Sequence, residues 1–108
     1  MHTIAAPTGK PKNIRVDPVD RRSANVVWEK PDCELRNGPI TGYSGELKAL
    51  DDWGNDEEAF GAAESALYEN LIPFTRYKVR VRASNSVGDG PFSDWIHFTT
   101  LPEGNYFD

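Results

Sequence analysis

The chain has 108 residues, which suits one domain and leaves little room for a second. Its net charge of −5 and pI of about 5.0, with no Lys/Arg cluster to offset them, argue against nucleic acid as a partner. The composition (38% hydrophobic, 27% charged) is that of a folded globular domain, the single cysteine allows neither an internal disulfide nor a zinc ligand set, and no run of about 18 apolar residues could span a bilayer.

Residues 1–10 are small, polar and punctuated by Pro and Gly, as a linker or cloning remnant would be, and lack the basic and apolar regions of a signal peptide. Strand signals then recur with turn residues between them. Pro11 to Val16 alternates, with Ile14 and Val16 on one face. Ser23 to Glu29 alternates again, placing Ala24, Val26 and Trp28 inward, and Pro31 ends that strand because it has no N–H for a ladder. Asp32 to Pro39 reads as a loop around Asn37-Gly38-Pro39. Ile40 to Leu50 is the next strand, with Tyr43, Leu47 and Ala49 on the core face.

Asp51 to Glu58 is acidic around a Trp53-Gly54-Asn55 turn signal. Residues 59–66 fit a short edge strand better than a helix, and Ala66 and Tyr68 point inward after it. Tyr77, Val79, Val81 and Ala83 alternate strictly with Lys78, Arg80, Arg82 and Ser84. A glycine-bearing turn over Asn85 to Pro91 leads to a last strand, Ser93 to Thr100, with Ile96 and Phe98 inward. Residues 101–108, opening on Leu101-Pro102, read as a second linker. The pattern predicts an all-β sandwich of seven strands.

Three features of this pattern resemble the fibronectin type III family over Pro11 to Thr100. They are Trp28 three residues before Pro31, Ile40-Thr-Gly-Tyr43 after a Gly-Pro loop, and Leu71-x-Pro73-x-Thr75-x-Tyr77 running on to Asn85, Gly88, Gly90 and Ser93. The resemblance implies an immunoglobulin-like sandwich with Trp28, Tyr43, Leu71, Tyr77, Val79, Val81 and Phe98 in its core. The lone cysteine excludes the disulfide of variable-type immunoglobulin domains. A buried Tyr77 phenol needs a partner, and backbone a few residues upstream is in reach; losing that hydroxyl would cost roughly 1–3 kcal/mol. Gly88 and Gly90 suit a turn with positive φ. Gly45 stands where the family places a β-branched residue, which predicts a gap or bulge filled by Trp53 or Phe60, with about 3–5 kcal/mol lost on truncating that aromatic.

No catalytic, cofactor-binding or metal-binding constellation emerges. His2 lies in a tail, His97 faces outward, and Cys33 sits between Asp32 and Glu34 with no base or electropositive setting. The carboxylates Asp51, Asp52, Asp56, Glu57 and Glu58 lack the spacing of a calcium loop; they read as a charged edge that repels other sheets, or as a contact for a basic partner surface. Trp95 faces outward beside Arg80 and Arg82, so a guanidinium stacked on its indole is expected, worth roughly 0.5–1 kcal/mol. Phe92-Ser93-Asp94-Trp95 also resembles a degraded Trp-Ser-x-Trp-Ser box of cytokine receptors. Possible partner contacts are therefore Trp95, Arg80, Arg82, Asp51, Asp52 and Trp53.

The resemblance implies a non-catalytic recognition or spacer module in the extracellular part of a single-pass plasma-membrane receptor or adhesion protein, a receptor-type tyrosine phosphatase among them. Partners would be other proteins (a ligand, a co-receptor or neighbouring domains), with no cofactor and no membrane insertion by a domain that is monomeric in isolation. The family also supplies two rivals: an intracellular structural module of muscle or cytoskeleton, and a cytokine-receptor-like ligand-binding domain. Neither an Arg-Gly-Asp in the 86–90 turn nor an N-glycosylation sequon is present.

Overall fold

Alternation of small apolar and polar residues decides which side of each strand is buried, and the buried sides meet in one core. A computed structural model describes residues 5–104. Its strands are β1 (Lys12–Val19), β2 (Ala24–Glu29), β3 (Gly42–Ala49), β4 (Glu57–Gly61), β5 (Ser65–Tyr68), β6 (Arg76–Ser84) and β7 (Ile96–Thr99). They form two antiparallel sheets, ordered β1-β2-β5 and β4-β3-β6-β7. The helical content among the described residues is one 3-10 turn, Cys33–Leu35. The expected seven-stranded sandwich is thus the fold observed.

Val26, Leu47, Leu71, Tyr77, Val79 and Val81 are essentially inaccessible to solvent, and Trp28 meets Tyr43 edge to face with ring centroids 5.3 Å apart. Phe98 is half-buried and stacks on Tyr77 at 5.7 Å. The tyrosine hydroxyl is used twice: the Ile72 amide donates to it at 2.9 Å, and it donates to Asn55 Oδ1 at 3.0 Å. That pins the crossover into β6 and pairs the buried Tyr77 hydroxyl as both donor and acceptor.

Three local expectations are corrected. The space over Gly45 is taken by Tyr68, reaching across from β5: a Cβ on Gly45 would collide with the Tyr68 hydroxyl. Trp53 and Phe60 are 63% and 76% exposed and fill nothing, and β3 pairs through Gly45 with both neighbours in unbroken register, so no bulge forms there. Neither Gly88 nor Gly90 has a positive φ; Gly90 instead admits the Pro7 carbonyl oxygen, which would lie 2.9 Å from a Cβ. The acidic run ends on a sheet edge, with Glu57 and Glu58 in β4 at the side of the four-stranded sheet. Glu58 lies opposite Glu46, a repulsive pair on its own, but Arg80 on the far side of Glu46 pairs with it at 2.7 Å and offsets the charge.

Residues 5–9 lie against the sandwich. The Ala5 and Ala6 carbonyls accept from the side-chain amides of Asn85 (2.7 Å) and Asn37 (2.9 Å), and the Thr8 and Gly9 amides donate to Leu35 O. His2 and residues 105–108 lie outside the described residues.

Candidate functional site: the basic and aromatic face of the four-stranded sheet

The buried side of β6 fixes what its other side presents. With Tyr77, Val79, Val81 and Ala83 inward, Lys78, Arg80 and Arg82 must stand in a row on the outer face. Like charges in a row repel, and the chain's return path supplies the remedy. Before β7 starts, Ser93 is clamped to β6: its amide donates to Val81 O at 2.7 Å and its hydroxyl accepts from the Val81 amide at 3.0 Å. This anchor holds Phe92 and Trp95, on either side of it, over the cationic row.

The result is an interleaved stack. Trp95 sits between Lys78 Nζ (4.3 Å from its ring) and the Arg80 guanidinium (4.4 Å). Phe92 sits between Arg80 (4.0 Å) and Arg82 (4.6 Å). Carboxylates lock the two guanidiniums from the side: Arg80 Nε donates to Glu46 Oε1 at 2.8 Å, and Arg82 Nη2 lies 3.2 Å from Asp89 Oδ2. Arginine suits this role because its planar group can stack on a ring and donate in its own plane at once.

The structure therefore brings Trp95, Arg80 and Arg82 together as expected, with one change of partner: Arg82 packs on Phe92 and Lys78 takes the other side of Trp95. Lys78 and Phe92 are the residues that sequence reasoning missed. Both were signalled, Lys78 by the same alternation as Arg80 and Phe92 by the same four-residue segment as Trp95. Lys78 also stands opposite Lys48 on β3 and His97 on β7, and neither lysine has a carboxylate within 4.0 Å among the described residues. Two lysines thus face each other across the sheet without a counter-charge among the described residues.

Asp51, Asp52 and Trp53 are elsewhere, in the turn after β3. Asp51 holds the start of β6: one oxygen accepts the Arg76 amide at 2.8 Å, and the other accepts Arg76 Nε at 3.1 Å and Nη2 at 2.6 Å. Those hydrogen bonds from Arg76 hold the Asp51 carboxyl below the ordinary carboxylate range. Trp53 donates to Thr75 Oγ1 at 2.9 Å with its ring exposed, and Asp52 is exposed. Arg76 and Arg82 are six residues apart on one strand, roughly 20 Å, so the two sets of candidate contacts form separate surfaces. Of the other acidic residues, Asp56 accepts the Ala49 amide at 2.9 Å and Glu57 accepts from Asn55 at 3.2 Å. Among the described residues no three His, Cys, Asp or Glu side chains are grouped to hold a metal. Cys33 is exposed in the 3-10 turn and His97 is exposed on β7.

A two-sheet sandwich with a tyrosine corner defines an immunoglobulin-like β-sandwich domain. The fibronectin type III domain family matches residues 9–99, and the chain belongs to that family. Among similar proteins, the human cell adhesion molecule DSCAM is 34% identical over 105 residues, and mouse DSCAML1 36%, each match covering 92% of this chain. Mouse protogenin is 35% identical over 91% of the chain. The chain spans only 5% of the DSCAM proteins' length and 8% of protogenin's. Among solved structures, chicken CNTN1 domains FN1–FN3 match at 29% identity and a TM-score of 0.73, over 89% of this chain and 31% of that one. Titin domains A168–A170 match at 25% identity and 0.76, over 88% and 32%.

Proposed function

We propose that this chain, with residues 11–100 as the module proper and its flanks as connections, is a non-catalytic extracellular recognition and spacing module of an adhesion-type cell-surface protein. The observation that carries the reading is the pre-built outer face: a cationic row in an acidic domain, its side chains already immobilised by rings and carboxylates. Groups fixed in advance lose little entropy on binding, and Lys48 and Lys78, which have no carboxylate partner among the described residues, favour an acidic protein surface. The adhesion molecules among its relatives favour this over a receptor-type phosphatase or a cytokine receptor. Likeness to titin domains supports the second reading, an intracellular structural module, at lower identity than the adhesion proteins.

The test is to place an epitope in the 86–89 turn of the full-length parent and stain intact cells, then to measure aggregation of those cells. Staining without permeabilisation is expected, and Lys48→Glu/Lys78→Glu should weaken aggregation. Staining only after permeabilisation would move the reading to the intracellular rival, while normal aggregation of the double variant would remove the face from recognition.

A further inference from the structure

Residues 5–9 form a strap held between the 33–39 loop and the 85–91 turn, and the two sides hold it differently. On the turn side, Pro7 is buried with its carbonyl oxygen 2.9 Å from where a Cβ on Gly90 would stand, and Asn85 donates to Ala5 O at 2.7 Å. On the loop side, Leu35 O accepts from the Thr8 amide at 2.9 Å and the Gly9 amide at 3.2 Å. The Asn37 side chain donates to Ala6 O at 2.9 Å. Gly9 is buried so close to the Cβ atoms of Leu35 and Pro31 that a Cβ of its own would collide with the first.

Asn85 shows that the turn does not need the strap. Its side-chain nitrogen carries two hydrogens, and three carbonyls surround it: Ala5 at 2.7 Å, Arg36 at 3.1 Å and Asn37 at 3.3 Å. When Ala5 departs, two acceptors remain for two hydrogens, so this buried amide stays paired. Its oxygen is used inside the turn, accepting from the Val87 and Gly88 amides at 2.9 and 3.2 Å. The Asn85 amide donates to Gly88 O at 3.1 Å, and the Gly90 amide ties the turn to β6 through Ala83 O at 2.8 Å. The turn is closed by its own bonds.

The 33–39 loop is not. Its local bonds are those of the single 3-10 turn, from the Leu35 amide to Asp32 O and the Arg36 amide to Cys33 O, and one from Arg36 Nε to Pro31 O. Leu35 O and the Asn37 side chain use their hydrogen bonds on the strap. If the strap leaves, this loop loses three bonds and the cover of Gly9, while the turn loses one bond that it can replace. Few apolar contacts and exposed backbone bonds are what make a segment open locally.

We propose that residues 5–9 are a latch: docked, they fix the 33–39 loop, and displaced, they free that loop while the 85–91 turn and both sheets stay as they are. A displacement of the chain ahead of Ala5 thereby reaches one of the two neighbouring loops and not the other. The latch needs neither a partner on the cationic face of β6 nor the cellular location proposed above.

The test is amide hydrogen exchange by NMR on the isotope-labelled 108-residue chain. Pro7→Glu places a charge where a buried ring sits, which displaces the strap without altering either loop. The Thr8, Gly9, Leu35 and Arg36 amides should then exchange at least about tenfold faster, with Val87, Gly88 and the β6 amide of Val79 within about twofold of wild type. Gly90→Ala pushes on Pro7 from the opposite wall and should speed the same four amides, which preserves the test if Pro7→Glu disturbs the fold. Trypsin should also cut after Arg36 faster in both variants. Faster strap amides with Leu35 and Arg36 unchanged would overturn the proposal, because the loop would then hold itself. Val87 and Gly88 accelerating with the loop in Pro7→Glu would overturn it too, since the strap would then hold the whole end as one body. So would strap amides that exchange as in wild type in both variants.

Discussion

The two faces of β6 share one backbone and are held by different physics. Inward, Tyr77, Val79, Val81 and Ala83 are stabilised by removal of apolar area from water, an effect without direction that tolerates exchange of similar shapes. Outward, Lys78, Arg80 and Arg82 gain from rings and carboxylates at set distances, which is directional and weak per contact. The inner face therefore decides whether the domain folds, and the outer face decides what it displays. The outer arrangement exists only because the Ser93 clamp to Val81 holds the returning chain in register.

Tyr77→Phe probes the inner face at its one polar point and should give the largest effect. The ring and its stacking on Phe98 remain, but the Ile72 amide loses its acceptor. A loss of about 1–3 kcal/mol is expected in urea unfolding, with an unchanged m-value. A change near zero would mean that the crossover is held by packing alone.

The outer face should respond less. In a double-mutant cycle between Trp95→Ala and Lys78→Met, the coupling energy should be about 0.5–1 kcal/mol, because the methionine keeps the stem and removes only the charge. Zero coupling would reduce Trp95 to an apolar cover. In that case the lysine is merely near the ring.

What was legible follows the range of the signal. Strand alternation from Tyr77 to Ala83 is local, so the core side of β6 and its cationic outer row could be read directly. The Leu71 to Tyr77 spacing encodes the tyrosine corner within one short segment. Gly45 showed that something must fill its place, yet Tyr68 is 23 positions away on the opposite sheet, and no local pattern names a partner across a core. Glu57 and Glu58 read as a charged edge and lie in edge strand β4, but that Arg80 reaches Glu46, opposite Glu58, from another strand is a pairing no local pattern shows. The strap formed by residues 5–9 was hidden for the same reason, since its acceptors are backbone carbonyls, which every sequence has.

The beginning of β6 offers a third arrangement, a cation held by a carboxylate with no ring, and it should matter least. Asp51 accepts three bonds from Arg76, and its pKa is lowered by them, side-chain bonding first. A carboxyl with a depressed folded pKa contributes stability above its unfolded value of about 4, and loses it as pH falls through the folded value. The stability difference between wild type and Asp51→Asn should thus be present at about pH 7 and smaller at about pH 2. The Arg76 side of the pair is open to solvent, so added salt should shrink the difference at neutral pH as well. Urea unfolding at the two pH values measures it. A difference that ignores both pH and salt would assign the role of Asp51 to its backbone bond with the Arg76 amide rather than to charge. The start of β6 would then belong with the inner face, where geometry and burial do the holding.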